Sequence, residues 1–459
     1  MQKIKEIFAT NTKEKITCLA FVIVLIILFF GMFINWKILG ENFIVTYRTE
    51  VPTGAPILER ITGAIDAAET AVNEGTFKRQ EFVEIYGLAQ LLMDKRVITD
   101  YNYGSLYKTF YDQVTFAVPE RYVDDAANAT FPVVNELIQH DIDFLYIQLP
   151  FKVSSGHHQD ITGIKELPPH ITDYSNENAS AFLDIMNNAN VKTYDLREDF
   201  YNSGLSQNDL FFNTDHHWTI EGAFLATDLI SKYLNENYDF DIQEDLYSMS
   251  KSVNVNTDAE AIENSHTDNS SIIEDEASYI HFKKTTYKDY FLGSMGRRVG
   301  KIYGGLDDFS LITPKFPTDI KLTQIEGAGQ QIFEGSFNDA VLEMQYIENA
   351  DVSTNRYAVY HGDYQELRFE NKLVENDKKI LIIKDSFGIP IYSLLSLGIK
   401  EVRAIDLRLF EMNVADYAIE YNPDLVVLMY NADSFVDPMF DFNLNVDNEK
   451  HKAWLESLR

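Results

Sequence analysis

The sequence predicts an α/β fold: a three-layer parallel sheet with helices on both faces, preceded by one N-terminal transmembrane helix. Three observations lead there. Apolar, β-branched runs recur in the chain from Ile142 onward and read as strands buried on both faces. In the last third they alternate with helical stretches, the pattern of a sheet covered on both sides. One uncharged apolar run near the N-terminus stands apart from both.

That run, "ITCLAFVIVLIILFFGMFI" from Ile16 to Ile34, would span roughly 28 Å as a helix, close to the ~30 Å hydrocarbon core of a bilayer. A cleaved signal would need small residues just after it, and "GMFINWKILG" offers Phe33, Ile34 and Trp36 instead. Lys3, Lys5, Lys13 and Lys15 precede it, so the positive-inside tendency keeps residues 1–15 cytoplasmic. Residues 16–36 are then the anchor and everything from 37 onward is extracytoplasmic. The only cysteine, Cys18, lies in the anchor, so the exported part has no disulfide, Cys nucleophile or thiolate metal site. At 459 residues and 45% apolar content the chain can bury a sizeable core. A net charge of −32 argues against a nucleic acid partner, because phosphate binding needs clustered Lys and Arg.

Residues 37–80 read as a stalk, with "AIDAAETAVNEGTFKRQEF" a polar amphipathic helix. The main domain is expected over 81–459. "FVEIYGLAQLLMDKRVI" has a helical period, and "IDFLYIQLP", "VKTYDLR" and "KKILIIKDS" read as parallel strands. "GIPIYSLLSLG" reads as a helix, "EVRAIDLR" as a strand, "MNVADYAIEY" as a helix and "PDLVVLMYN" as a strand. Two stretches interrupt the alternation: 240–289, polar and acidic, expected as a surface excursion, and 316–378, β-like and irregular, expected as an insertion.

The stretch "FFNTDHHWTIEGAF" carries the first chemical signal. A metal reading is weak: no HExxH spacing is present, adjacent histidines in an extended segment point to opposite sides, and the second pair, His157 and His158, sits in a Ser/Gly-rich loop. The cytoplasmic phosphoesterases with an Asp-His-His motif also match poorly, since their other acidic motifs are not evident. In an extended segment Asp215 and His217 share a face, with His216 and Trp218 on the other. A carboxylate there can accept the imidazole Nδ1–H and leave Nε2 as a base. "TIEGAFLATDLISKYL" follows as an amphipathic helix that Thr219 can cap. Alone, the segment fits a surface turn equally well.

"ILIIKDSFG" adds the second signal, a serine where a parallel strand meets a helix N-terminus. Ligands bind at such points in open α/β sheets, and the local amides can face a developing negative charge. Ser386 can serve there as a nucleophile, as a helix cap, or as both.

These blocks resemble the DHHW family, related to the alginate O-acetyltransferases of the SGNH hydrolase superfamily. "NTDHHW" and "IIKDSFG" match its two signatures; "GSMGRRVGKIYGGLDDFSLITPKF", "YIQLPFK", "IDLR" and "PDLVVLMYN" are similar to further stretches of it. The resemblance runs from about residue 80 to the end. The Asp-x-His precedes the serine, as in the alginate branch, and Lys384 stands where Gly-Asp-Ser has its glycine.

The resemblance implies an SGNH hydrolase-like fold, with Ser386 as nucleophile, His217 as base and Asp215 as orienter. By position it makes Tyr430 a candidate oxyanion or substrate donor, Arg408 a candidate substrate ligand and Asn431 a rival donor. Arg297, Arg298 and Lys152 are weaker candidates, expected to be structural. No metal and no cofactor is implied. The expected activity is transfer of acetyl groups to an exopolysaccharide or cell-wall glycan, with a multi-spanning membrane acyltransferase as the partner that delivers acetyl. An esterase with the same triad and a non-catalytic scaffold of a polysaccharide export complex are the alternatives.

Overall fold

The computed structural model describes residues 12–34, 36–51, 56–75, 78–100, 104–153, 167–168, 170–249, 272–275 and 277–457. The chain divides into two compact units, Met1–Tyr86 and Gly87–Arg459.

The first unit holds helices α1 (Thr12–Ile34), α2 (Trp36–Glu50) and α3 (Ile57–Gly75). α2 and α3 make an antiparallel hairpin whose glycines allow close approach. A Cβ on Gly63 would lie 2.2 Å from the Val51 side chain, and one on Gly75 would lie 2.8 Å from Leu39. Among the described residues no single helix is long and apolar enough to cross a membrane. Ile16–Gly31 and Trp36–Arg48 meet that length and composition only as a pair, bent by 69°. The single straight span expected at 16–36 is therefore not shown. The chain turns at the end of the apolar run and continues into the more polar α2.

In the second unit, helix α4 (Arg79–Leu92), which straddles the division, is followed by a small antiparallel sheet. Its strands are β1 (Val97–Asp100), β2 (Gly104–Lys108) and β3 (Val114–Thr115). The main sheet has eight strands. It takes β4 (Asp143–Gln148) and β5 (Lys192–Asp195) from the first half of the chain. The second half supplies β9 (Ile320–Glu326), β10 (Gly329–Gly335), β11 (Glu366–Asn371), β12 (Lys379–Lys384), β13 (Glu401–Ile405) and β14 (Leu425–Tyr430). The order is β10-β9-β11-β13-β12-β14-β4-β5.

Five neighbouring strands, β13 to β5 in that order, are parallel, while β11, β9 and β10 are antiparallel. The expectation of a wholly parallel sheet is thus corrected to a mixed one. The cause is residues 316–378, which extend the sheet by a hairpin and a returning strand. β9 buries alternate residues (Ile320, Leu322, Gln324), as a half-solvated antiparallel strand does.

The acidic stretch 240–289 is likewise not all surface. Residues 250–271 and 276 lie outside the described set, but β6 (Ile272–Asp275) and β7 (Phe282–Phe291) pair with β8 (Asp307–Pro314) in a third sheet. Phe282 and Phe291 enter the main core.

Each face of the parallel strands has its own core. Ile380 and Ile382 of β12 pack on one face with α7 (Ile220–Tyr238) and α8 (Gly388–Leu395). Leu381 and Ile383 pack on the other with α5 (Asp124–Gln139), α6 (Ser175–Asn188) and α9 (Val414–Tyr421). The side-chain period of two sends alternate residues to opposite layers, which explains the unbroken apolar run. From β12 the chain crosses through α8 to β13, then through α9 back past β12 to β14. The carboxyl end of β12 is therefore a topological switch point, where an open sheet leaves a crevice.

Candidate active site

Ser386 lies two residues beyond β12, at that crevice. From Ile380 to Ile399 every residue is buried except Ser386, which is half-buried. The cap of α8 is Phe387, without a side-chain bond, so the serine hydroxyl is not a helix cap. Its partner is instead His217, whose Nε2 lies 2.7 Å from Ser386 Oγ. His217 Nδ1 lies 2.6 Å from Asp215 Oδ1. A carboxylate can only accept, so Nδ1 carries the proton and Nε2 is left as acceptor for the serine hydroxyl.

The segment is bent rather than extended. Asp215 Oδ1 also accepts from the His217 backbone N–H at 3.1 Å, an Asx-type turn. The expectation that His216 faces away from the pair is therefore corrected. Its ring lies 3.9 Å, centroid to centroid, from the His217 ring, and its Nδ1 lies 3.0 Å from Ser294 Oγ. Trp218 does turn into the core. Its Nε1–H donates to Tyr357 Oη at 2.7 Å, and the Tyr357 ring stacks on His217 at 4.2 Å. Thr219 caps α7, accepting from Gly222 N at 2.9 Å.

A polar scaffold fixes Asp215. The Ser294 amide donates to its Oδ2 at 2.7 Å. The buried Asp307 carboxylate accepts from Asn213 N at 2.6 Å and Thr214 N at 2.7 Å. The Lys152 ammonium donates to the Asp215 and Val114 carbonyls. Gly293 is packed so tightly that a Cβ would lie 2.3 Å from Asp215 Cβ. Burial alone would raise the Asp215 pKa, but His217, His216 and the Ser294 amide hold it well below the carboxylate range. Burial, with the neighbouring His217 ring, pushes His216 down to about 3, so that ring is neutral at working pH. Burial lowers Lys152 to about 8, with Asp307 and Asp215 opposing.

The strand ends correct two further expectations. Tyr430 is fully buried and its hydroxyl donates to the Met439 carbonyl at 2.6 Å, so it is not a free substrate donor. Asn431 donates through its backbone and side-chain amides to Asp385 Oδ2 at 2.7 and 2.8 Å. Both groups therefore brace the carboxylate beside the serine instead of facing an oxyanion. Arg408 is held by Asp406, Nε to Oδ1 at 2.8 Å, and by Asp363 at 3.3 Å, yet its side chain stays 40% exposed. Arg298 pairs with Asp100 at 3.4 Å, Arg297 is exposed, and Lys152 lies beneath Asp215.

Sequence reasoning missed Tyr357, Ser294, Asp307 and the bracing role of Asp385. Ser294 and Asp307 lie in the "GSMGRRVGKIYGGLDDFSL" block, which was the available signal; Tyr357 had none. Ligand atoms of Asp215, His216 and His217 come within 4.8 Å of one another. Both His217 nitrogens are already engaged, so an ion there would displace Asp215 or Ser386. His157 and His158 lie outside the described residues.

The fold and these blocks define an SGNH hydrolase-like α/β protein. Residues 110–266 match the family model described as the SGNH hydrolase-like domain of acetyltransferase AlgX. The chain is similar in fold to PatB1 of Bacillus cereus, solved with a sulfonyl adduct. That likeness has a TM-score of 0.52 and 21% identity, covering 75% of this chain and 99% of PatB1. A DHHW family protein from Eubacterium siraeum aligns with a TM-score of 0.50 and 13% identity, covering 76% of this chain and 97% of its own. No curated protein matches the chain. The resemblance to DHHW and alginate-acetyltransferase-like proteins read from the motifs is met by the family model over residues 110–266 and, for the DHHW protein, by likeness of fold.

Proposed function

We propose that this chain is a serine O-acetyltransferase. The observation that carries the reading is the relay Asp215–His217–Ser386, with contacts of 2.6 and 2.7 Å at a switch point of the sheet. Ser386 Oγ attacks the carbonyl of an acetyl donor while His217 Nε2 takes the hydroxyl proton. Asp215 keeps the proton on Nδ1 and stabilises the imidazolium. The tetrahedral oxygen is met by the Ser386 amide, which has no acceptor among the described residues. Collapse returns the His217 proton to the leaving group and leaves acetyl-Ser386. An acceptor hydroxyl then loses its proton to Nε2, attacks the acyl carbon and restores the serine.

The acceptor in this reading is an exopolysaccharide or cell-wall glycan outside the cytoplasm. The uncharged stretch Ile16–Ile34 and the lysines before it support anchoring at the membrane. A multi-spanning acyltransferase would supply acetyl from the other side. In this reading Arg408, exposed and paired with two carboxylates, is the cation that meets donor or acceptor.

The test is mass spectrometry of the purified protein after brief exposure to a chromogenic acetyl ester. One acetyl group should appear on the peptide carrying Ser386, be absent in Ser386→Ala, and leave faster when oligosaccharide is added. Turnover that survives Ser386→Ala would overturn the reading. Acetyl release indifferent to every oligosaccharide would make the protein an esterase.

A further inference from the structure

The proposed triad does not use His216, yet this ring too is held in place. Its face lies against His217, centroids 3.9 Å apart and planes 37° apart. Its Nδ1 is tied to Ser294 Oγ at 3.0 Å, and the Ser294 backbone is itself fixed by Asp215 Oδ2 at 2.7 Å. The side chain is 24% exposed, although its neighbours Asp215 and His217 are nearly closed off. One polar atom is left over: Nε2, for which the described residues provide no partner.

The protonation pattern gives that atom a definite chemistry. Asp215 Oδ1 lies 3.5 Å from His216 Nδ1, which favours the proton on Nδ1, where it can be donated to Ser294. Nε2 then presents a lone pair. Burial and His217 keep the ring neutral, with a pKa of about 3. So weak a base cannot deprotonate a hydroxyl; it can only accept a hydrogen bond from one.

Two adjacent imidazoles, tilted by 37°, therefore offer two acceptors, one bonded to the serine hydroxyl and one free of it. Deacylation requires a hydroxyl at His217 Nε2, and water competes for that place unless the acceptor is held. Resting on the acetyltransferase reading, we propose that His216 Nε2 binds a second hydroxyl next to the one being acetylated, so that the acceptor is a sugar with hydroxyls on adjacent carbons. In the transfer step the first hydroxyl gives its proton to His217 and its oxygen bonds to the acyl carbon, freeing Ser386. The second hydroxyl keeps its proton and donates it to His216 throughout.

The experiment measures partition of the acetyl-enzyme, formed from a chromogenic acetyl ester, between water and sugar. Methyl mannopyranoside and its 2,4-dideoxy counterpart, in which no two hydroxyls sit on adjacent carbons, are the probes. The wild type should favour the intact sugar. His216→Phe keeps the stacked ring without its nitrogens and should lower the ratio of transfer to hydrolysis about three- to tenfold, with the preference between sugars gone. His216→Gln, whose amide reaches the Nε2 position, should recover part of both. His216→Asn, which reaches only as far as Nδ1, should not.

A wild type that does not distinguish the two sugars overturns the proposal. So does a His216→Phe protein in which transfer and hydrolysis fall together or the preference persists. Ser386→Ala is the separate control: turnover surviving there defeats the acetyltransferase reading itself.

Discussion

Tyr357 lies flat against His217, ring centroids 4.2 Å and planes 14° apart, and its hydroxyl accepts the indole N–H of Trp218 at 2.7 Å. One side chain thus backs the His217 ring and satisfies the polar atom of a fully buried tryptophan from the same motif. Tyr357→Phe keeps the stack but orphans that N–H, which should cost about 1–3 kcal/mol in denaturant unfolding. A change below a few tenths would show that the indole finds another acceptor.

Asp215→Asn preserves shape but removes the acceptor that sets the His217 tautomer. Acetyl-ester turnover should fall by about 10⁴ in kcat. The melting temperature should change little by comparison, because the Ser294 amide can still donate to the side-chain oxygen.

Gly293→Ala tests the packing that places Asp215. The new methyl would sit 2.3 Å from Asp215 Cβ and 2.6 Å from the Thr214 carbonyl, so the motif must shift. A displacement of about 1 Å costs on the order of 10²-fold in turnover, and circular dichroism should show the fold retained.

Lys384 occupies the glycine position of the usual serine motif without reaching the serine. Its ammonium is buried between Asp363 and Asp406, the latter fully buried and also bound by Arg408. Burial would raise the Asp406 pKa, but Lys384 and Arg408 hold it below the carboxylate range. Lys384→Met strips one partner from a buried carboxylate and should destabilise the fold by about 3 kcal/mol in equilibrium unfolding.

Acid should weaken the protein through its buried imidazoles. Burial lowers His361 from 6.5 to about 4, partly offset by the Val341 carbonyl. Between those values the unfolded chain holds the proton and the folded chain does not. Stability is therefore full above pH 6.5 and falls as pH drops toward 4, by up to about 3 kcal/mol for this group. His216 adds in the same direction. His361→Gln should flatten the decline of melting temperature over that window; an unchanged slope would assign acid sensitivity elsewhere.

The parallel strands were legible because burial on both faces writes them as unbroken apolar runs, as in "KILIIK" and "LVVLMY". β9 and β11 were legible only as irregular β-like sequence, because one side of each is partly solvated, and their pairing into the main sheet was not. Asp215, His217 and Ser386 could be picked out because their chemistry needs particular residue types at set spacings. Tyr357 could not: its contribution arises from a contact across more than 130 residues of chain. Tyr430 and Asn431 show the converse failure, since a place at a strand end does not reveal where a side chain spends its hydrogen bonds.

His217 and Ser386 are 169 positions apart and are carried by the loop before α7 and the end of β12, so neither can find the other until the helix has packed on the sheet. The relay is thus a built-in gauge of the finished domain. Partly folded or truncated forms, however rich in helix and strand, would hold a serine hydroxyl and an imidazole that do not meet.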